Sequence, residues 1–336
     1  MSGRRRGLFL IGHGSRSGEG VDEYWQFVEV LRDILPADVE LGAGFIEFAS
    51  PDLDEGIDEL VSRGVEEVHA VPLVLLGAGH MKNDGPAALA RARLRHPGVT
   101  FCYARALGVH PDLLSLAEAR VREAFSRSEA RIQSAEGCGG VGAEERPEER
   151  PEACRTEGEV SGRAVVLVGR GSTDPDANSD LFKVARMLEE GRSLGEVHAS
   201  FVSLAPPDVP SALDRAARLG ATAVAVVPYF LFTGLLVERI YRQAEEWALR
   251  HPEVQVVAGR HLGPDPVVAR LVVDRFVESV EGGVHMNCDG CVYRVKLPGY
   301  EHKFRAPLDL AGHHAHHHHH SEAAHHHPHE DRHHRH

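Results

Sequence analysis

The chain of 336 residues contains no apolar run that approaches the roughly 20 residues needed to span a bilayer. Its basic start, residues 1–6, is followed by a short apolar stretch that ends in Gly-His-Gly without a small-residue cleavage site. This pattern is not that of a secretory signal peptide. We therefore expect a soluble cytoplasmic protein that has no membrane partner.

The sequence also has few cysteines and no net positive charge. Five cysteines in 336 residues are too few and too scattered for a disulfide framework. A net charge of -13 argues against a nucleic-acid partner, which would require a basic patch. The chain has no Gly-x-x-x-x-Gly-Lys-Ser/Thr phosphate loop, so we expect it not to use ATP.

Apolar strands and amphipathic helices alternate through the first part of the chain. Strands are predicted at residues 7–12, 40–49, 67–76 and 100–106, and helices at residues 19–35, 53–63, 86–95 and 111–126. A glycine-rich loop is expected at residues 77–80. Repeated strand–helix alternation predicts an α/β fold with a parallel sheet flanked by helices.

The same pattern then occurs a second time. Residues 129–162 are charged and punctuated by proline, which predicts a flexible acidic linker. After it, residues 164–172 repeat residues 8–15, residues 201–208 repeat residues 45–52, and residues 227–231 repeat residues 71–75. We infer a tandem duplication of a domain of roughly 120 residues.

The duplication provides an internal control. Positions kept in both halves are expected to serve the fold, whereas positions that differ are candidates for function in one half. Three metal-competent side chains of the first half are replaced in the second: His13 by Arg170, Glu47 by Ser203 and His80 by Leu236. All three lie at or near the predicted carboxyl ends of parallel strands, where open α/β sheets bind their ligands.

Three motifs carry a family resemblance: Gly-His-Gly-Ser-Arg at 12–16, Phe-Ile-Glu-Phe-Ala-Ser-Pro at 45–51, and Val-Pro-Leu-Val-Leu-Leu-Gly-Ala-Gly-His-Met-Lys-Asn-Asp-Gly-Pro at 71–86. In this order they resemble the two-domain sirohydrochlorin chelatases of the CbiX type. The resemblance implies ATP-independent insertion of Co²⁺ into sirohydrochlorin on the route to cobalamin. Iron or nickel as the metal is the enzymatic alternative. The resemblance also implies that His13 and His80 bind the metal beside the acidic Glu47.

The expected domain order follows from the repeat and the resemblance. A chelatase domain with the metal site at 1–128 precedes the linker at 129–162 and a second chelatase-like domain with a degenerate site at 163–282. A Cys-x-x-Cys segment at 283–312 and a disordered histidine-rich tail at 313–336 complete the chain.

These residue types suit metal insertion into a tetrapyrrole. Neutral imidazoles and a carboxylate bind divalent first-row ions while leaving coordination positions open, and either group can accept a pyrrole proton. His13, His80 and Glu47 are therefore the predicted catalytic and metal-binding residues. Because sirohydrochlorin carries many carboxylates, basic side chains are candidates for binding it. These are Arg16, Lys82, Arg170 and Arg239.

Two features follow the second domain. Cys288 and Cys291 belong to a Met-x-Cys-x-x-Cys motif. In long members of the family a similar motif is associated with an iron–sulfur cluster. Two thiolates do not complete such a cluster. Cys138, Cys154, a histidine or a second chain would supply the rest, and a zinc site or a free dithiol is the alternative. The tail has 14 histidines in its last 24 residues, and the other residues that interrupt them favour a native segment over a purification tag. Its histidines suit a metal reservoir or a buffer against metal toxicity, and a solvated tail without a role is the alternative.

A hypothesis of another class is a non-catalytic metal store or metallochaperone. The tail by itself would support it, whereas the His13–Glu47–His80 set favours the enzyme. The sequence leaves the oligomeric state open, a homodimer included.

Overall fold

Parallel strands and helices alternate along the part of the chain that the computed structural model describes, residues 4–136 and 162–282, apart from the side chains of residues 79–82 and 131–136. In the first repeat the elements are β1 (Arg6–Gly12), α1 (Gly18–Ile34), β2 (Val39–Phe45), α2 (Leu53–Ser62), β3 (Glu67–Pro72), α3 (Gly79–Arg95), β4 (Thr100–Tyr103) and α4 (Pro111–Glu136). In the second they are β5 (Arg163–Gly169), α5 (Pro175–Glu189), β6 (Glu196–Phe201), α6 (Val209–Arg218), β7 (Ala223–Pro228), α7 (Leu235–Ala248), β8 (Gln255–Ala258) and α8 (Pro266–Glu281). None of the helices in these ranges is long and apolar enough to cross a membrane.

Each repeat forms one four-stranded parallel sheet. The strand orders are β2-β1-β3-β4 and β6-β5-β7-β8, so the first strand of each repeat lies inside its sheet. These inner strands are apolar along their length because helices cover both faces, and the side chains from Leu8 to Ile11 are at most 1% exposed. The predicted fold class, two tandem α/β domains with parallel sheets, is confirmed; the histidine-rich tail at 313–336 lies outside the described residues.

The two repeats share their local turns as well as their strands. After β2, the amide of Phe45 donates to the carbonyl of Pro51 at 2.9 Å, and after β6 Phe201 donates to Pro207 at 2.9 Å. The next helix begins in both cases with an aspartate, Asp52 or Asp208, whose carboxylate accepts a hydrogen bond from the backbone of the first turn. These caps satisfy amides that a helix end otherwise leaves unpaired.

The last helix of each repeat packs on the sheet of the other repeat. Helix α4 contacts β7 and β8, and α8 contacts β3 and the neighbouring helix α1. One apolar cluster consequently contains residues of both repeats, such as Leu8 and Leu10 of β1 with Leu271 and Val272 of α8. The two repeats form a single compact unit.

A buried charged group fixes α8 against the first repeat. Arg275 is 1% exposed and donates hydrogen bonds to the carbonyls of Ala106 and Leu107 at 3.0 and 2.6 Å. It also donates to Glu278 at 2.7 Å, and Arg105 donates two further bonds of 2.8 Å to the same carboxylate. Because Glu278 is the charged partner of the buried Arg275, removing Glu278 would leave the guanidinium uncompensated in the interior.

Several predicted boundaries were wrong. Strands β3 and β4 end at Pro72 and Tyr103 rather than at residues 76 and 106, and after Pro72 the chain turns so that the amide of Val74 donates to the carbonyl of Pro72 at 2.9 Å. Strand β2 ends at Phe45 rather than at residue 49, since the chain then turns back on itself and the amide of Phe45 donates to the carbonyl of Pro51. Helix α3 begins at Gly79 rather than at Pro86, which lies inside the helix although proline favours the first turn. Helix α4 continues to Glu136 and so occupies the start of the predicted 129–162 linker. Residues 137–161 and the predicted segment 283–312 lie outside the described residues.

Candidate active site

The carboxyl ends of the strands from both sheets border one cleft of about 810 Å³. The first repeat contributes the loops after β1, β2 and β3, and the second contributes the equivalent loops and the start of α7. Loops at the carboxyl edge of a parallel sheet are where such folds place ligands. Much of the wall is apolar, with Leu73, Leu75, Phe230 and Phe232 among its residues.

The loop after β1 makes a tight turn whose backbone lies against the loop after β2. The backbone of Gly14 has φ 90°, and a Cβ at this position would lie 1.7 Å from the carbonyl oxygen of Glu47. The amide of Glu47 in turn donates to the carbonyl of His13 at 3.1 Å. Only glycine fits such an approach, so the turn sets the two candidate site residues, His13 and Glu47, side by side.

The second repeat keeps this turn and changes the side chains. Gly171 has φ 83°, and a Cβ there would lie 1.8 Å from the carbonyl oxygen of Ser203. Ser203 donates its amide to the carbonyl of Arg170 at 3.0 Å. The same frame therefore carries imidazole and carboxylate in one repeat and guanidinium and hydroxyl in the other.

His13 and Glu47 are spaced as two ligands of one metal ion. Their Nε2 and Oε1 atoms lie 3.6 Å apart, and each side chain is about one-third exposed. Two ligand atoms at the usual metal distances and a tetrahedral angle lie about 3.4 Å from each other. The other ring nitrogen of His13, Nδ1, lies 3.3 Å from the carbonyl of Gly14, a contact that favours Nε2 as the metal-binding atom.

Arg170 reaches across the cleft to this pair. Its Nη1 atom lies 3.4 Å from Nε2 of His13, although the two residues are 157 positions apart. The side chain of Arg170 is exposed to the cleft. The structure thus brings a carboxylate-binding side chain next to the candidate metal ligands.

The other predicted site residues have different positions. His80 and Lys82 lie at the start of α3, between Ala78 and Asn83, which both line the cleft, but their side chains are outside the described residues. Arg16 lines the cleft, with its guanidinium 4.6 Å from the centre of the Phe48 ring. Arg239 is exposed on α7 and is not among the residues that line the cleft. Cys288 and Cys291 are outside the described residues.

Two cleft residues were missed by the sequence analysis. Phe48 and Leu204 occupy equivalent positions, have φ 66° and 62°, and expose 51% and 62% of their surfaces. A bulky side chain in the left-handed region costs on the order of 1–3 kcal/mol and is found most often at functional sites. The repeat aligns these residues, but nothing in their identity reveals the positive φ.

Asn83 and Asp84 are further polar residues of the cleft wall. They belong to the Met-Lys-Asn-Asp-Gly stretch after His80, which was identified as a motif but yielded no individual candidates beyond His80 and Lys82. The early start of α3 places these two residues one helical turn after His80.

Two tyrosines of the cleft wall are poor proton acceptors. Tyr24 and Tyr229 are 2% and 4% exposed, and burial raises the pKa of both phenols well above the ordinary value. Each phenol therefore keeps its proton near neutral pH. His13 and Glu47 are the better candidates for accepting a proton in this part of the cleft.

The sequence model of the CbiX family matches residues 7–124 and 164–279, which cover both repeats. The chain belongs to the CbiX family. It is 33% identical to a sirohydrochlorin cobaltochelatase of Priestia megaterium over 292 residues, which are 87% of this chain and 86% of that protein. It is 26% identical to a sirohydrochlorin ferrochelatase of Bacillus subtilis over 275 residues, 82% of this chain and 92% of that protein.

A solved structure has the same arrangement of two CbiX repeats. The sirohydrochlorin chelatase SirB from Bacillus subtilis subspecies spizizenii, in complex with cobalt, superposes with a TM-score of 0.63 at 25% identity. The match covers 83% of this chain and 96% of that one. The two-repeat architecture of this CbiX protein is therefore shared over nearly the whole of a relative.

Substitution of Gly14 tests the turn that holds His13 beside Glu47. We expect Gly14→Ala to lower the free energy of unfolding by about 2–5 kcal/mol, because the new Cβ meets a backbone oxygen and the positive φ disfavours alanine. Denaturant unfolding measures this as a shift in midpoint. Gly18→Ala is the control, since a Cβ at that position has no atom within 4 Å. Equal midpoints for the two variants would contradict the proposed constraint.

Proposed function

We propose that the protein is a sirohydrochlorin cobaltochelatase that inserts Co²⁺ into sirohydrochlorin without ATP. The observation that carries the proposal is the His13–Glu47 pair, spaced 3.6 Å apart in a cleft where Arg170 approaches from the other repeat. The name of the Priestia megaterium relative, at 33% identity over most of both chains, favours this substrate and this metal.

The metal ion is a substrate of this reaction and has to be released as well as bound. His13 Nε2 and Glu47 would provide two ligands, and we propose His80, the second residue of α3, as a third. Three protein ligands leave coordination positions for the incoming pyrrole nitrogens. A site with an incomplete ligand set suits transfer better than a closed structural site does.

Two pyrrole N–H protons leave as the divalent ion enters, so the net charge of the macrocycle does not change. We assign the proton acceptors to His13 and Glu47, because the buried phenols of the cleft keep their own protons. The carboxylates of the macrocycle are the expected partners of Arg170 and Arg16, which line the cleft. Lys82 and Arg239 stay weaker candidates for the same role.

The ligand types by themselves do not select cobalt. Imidazole and carboxylate bind Fe²⁺, Co²⁺ and Ni²⁺ alike. The ferrochelatase of Bacillus subtilis is also related over most of its length, so iron is the nearest alternative metal. The metal-store hypothesis lacks a reason for the cleft of about 810 Å³ and for a guanidinium beside the metal ligands.

Two features of the cellular context belong to the proposal. We propose a cytoplasmic location, as suits a biosynthetic enzyme. We include a homodimer as the assembly to be tested.

Substitutions in the cleft separate metal chemistry from tetrapyrrole binding. We expect His13→Ala and Glu47→Gln each to lower kcat/KM for Co²⁺ insertion at least about 100-fold. The first removes a metal ligand and a proton acceptor, and the second replaces a carboxylate with a neutral amide that binds divalent ions more weakly and does not accept a proton. We expect Arg170→Ala mainly to raise KM for sirohydrochlorin about 10-fold, the effect of losing one charge-assisted hydrogen bond. The assay follows the absorbance of the tetrapyrrole without ATP, with Co²⁺, Fe²⁺ and Ni²⁺ in parallel.

Ser203→Ala is the matched control, because Ser203 occupies the position of Glu47 in the second repeat. It should keep activity within about twofold of wild type. Full activity of both His13→Ala and Glu47→Gln would overturn the site assignment. Metal binding without any insertion by the wild-type protein would instead support the metal store.

Phe48 and Leu204, the two cleft residues with positive φ, provide a second test. We propose that Phe48 and Leu204 contact the faces of the macrocycle, because exposed apolar side chains in a strained backbone need a compensating role. Phe48→Ala and Leu204→Ala should each raise KM for sirohydrochlorin about 3- to 10-fold, the loss of part of an apolar contact. Leu219→Ala is the control, since Leu219 is 57% exposed but outside the cleft wall. Unchanged KM in both cleft variants would contradict the assignment.

An iron–sulfur cluster at Cys288 and Cys291 is also a proposal, resting on the Cys-x-x-Cys motif and the resemblance. We expect the purified full chain, handled without oxygen, to contain iron and acid-labile sulfide. The double variant Cys288→Ser/Cys291→Ser should lose both. Retention of zinc alone by the wild-type chain would favour the zinc alternative and contradict the cluster.

A further inference from the structure

A second group of metal-binding side chains lies away from the cleft, in the sheet of the first repeat. Glu67 and His69 belong to β3, and Cys102 belongs to the neighbouring strand β4, where it is in register with His69. One potential ligand atom from each residue lies within 4.8 Å of the other two. The group combines carboxylate, imidazole and thiol, a donor set that suits zinc and cobalt ions.

The buried imidazole of His69 is oriented as a metal ligand would be. The residue is 1% exposed, its ring packs edge-on against Phe276 at 5.3 Å, and its Nδ1 lies 2.8 Å from the hydroxyl of Ser279. A hydrogen bond at one ring nitrogen commonly fixes the other toward a metal. Here the other atom, Nε2, is buried and lies 3.3 Å from Oε1 of Glu67, outside good hydrogen-bond geometry.

The second repeat shows that the fold does not require these side chains. The register of β7 with β8 matches that of β3 with β4 and places Ala223, Ala225 and Val257 at the three equivalent positions. All three are apolar, as expected for strands covered on both faces. The first repeat thus holds a buried histidine, with Nε2 next to a carboxylate, at a position that its copy fills with alanine.

We propose that Glu67, His69 and Cys102 form a second divalent-metal site, with zinc as the expected occupant. His69 Nε2, Cys102 Sγ and Glu67 Oε1 would be its protein ligands, and water would complete a tetrahedral set. Binding replaces the thiol proton, which is released to solvent as the metal–sulfur bond forms. His69 pairs with Leu8, five residues before His13, so the two metal sites are roughly 16 Å apart along the strands.

The charges around the group are compatible with this assignment. Arg6 holds the other carboxylate oxygen of Glu67, Oε2, at 3.3 Å and leaves Oε1 facing His69. Burial lowers the pKa of His69, which keeps the imidazole neutral and able to bind a metal at physiological pH. Burial and the negative charge of Glu67 raise the pKa of Cys102 despite the opposing charge of Arg93, so the bound ion itself has to displace the thiol proton.

A metal at this position would connect elements of both repeats. It would join β3 to β4 directly, and through the Nδ1–Ser279 contact it would fix the imidazole against α8 of the second repeat. Its role would be structural, and it would not exchange metal with the cleft.

The test uses the thiol as a reporter. Replacing Cys138, Cys154, Cys288 and Cys291 by serine leaves Cys102 as the only thiol of the full chain. Adding Co²⁺ to this variant should produce a thiolate-to-cobalt charge-transfer band of about one equivalent per chain, and Zn²⁺ should then remove it because zinc binds more tightly. The histidine-rich tail and the cleft contain no cysteine and cannot give this band.

Two substitutions in the same background identify the other ligands. His69→Ala and Glu67→Ala place the side chain of the second repeat at each position and should therefore fold, as circular dichroism would verify. We expect the band to be lost in His69→Ala and weakened in Glu67→Ala. Zn²⁺ should also protect Cys102 from alkylation in the parent and not in His69→Ala. Lack of a band in the parent, or an unchanged band in both variants, would overturn the site.

Discussion

The reciprocal packing of the last helices is the constraint on which the cleft depends. Helix α8 covers part of the first sheet and α4 covers part of the second, so neither sheet is closed by its own repeat. Arg275 and Glu278 reinforce this contact with a buried ion pair that also hydrogen-bonds to the backbone of the first repeat. Replacing such a pair by apolar residues changes the free energy of unfolding little. Removing Glu278 alone is strongly destabilising, because it leaves the buried charge of Arg275 uncompensated. The pair therefore fixes one way of joining the repeats, and with it the approach of Arg170 to His13.

Duplication of the domain separated the scaffold from the chemistry. Both repeats keep the glycine whose Cβ would strike the carbonyl of the next loop, and both keep the left-handed residue that follows. On this shared frame, imidazole faces guanidinium and carboxylate corresponds to hydroxyl. One cleft can then offer metal ligands from one wall and anion-binding groups from the other, which a symmetric pair of sites would not do.

Much of this arrangement could be predicted from the sequence, because strand–helix alternation and the repeat both leave strong patterns. The metal-competent residues and Arg170 were identified by comparing the halves. The start of α3 was missed because Gly79 is a weak helix former and Pro86 resembled a first-turn residue. The packing of α4 and α8 on the sheet of the other repeat could not be predicted. The spacing of apolar residues along a helix is the same whichever sheet the helix covers. The φ of Phe48 and the meeting of His69 with Cys102 likewise depend on tertiary structure.

The reciprocal packing of the last helices also determines when the protein can finish folding. Helix α8 ends at residue 281, yet it covers β3, whose residues are made more than 200 positions earlier. During synthesis, part of one face of the first sheet therefore stays uncovered until the second repeat has been made. Contacts of such large sequence separation close slowly because the loop entropy must be lost first. The first repeat is synthesised first, but its packing is completed only when the second repeat folds.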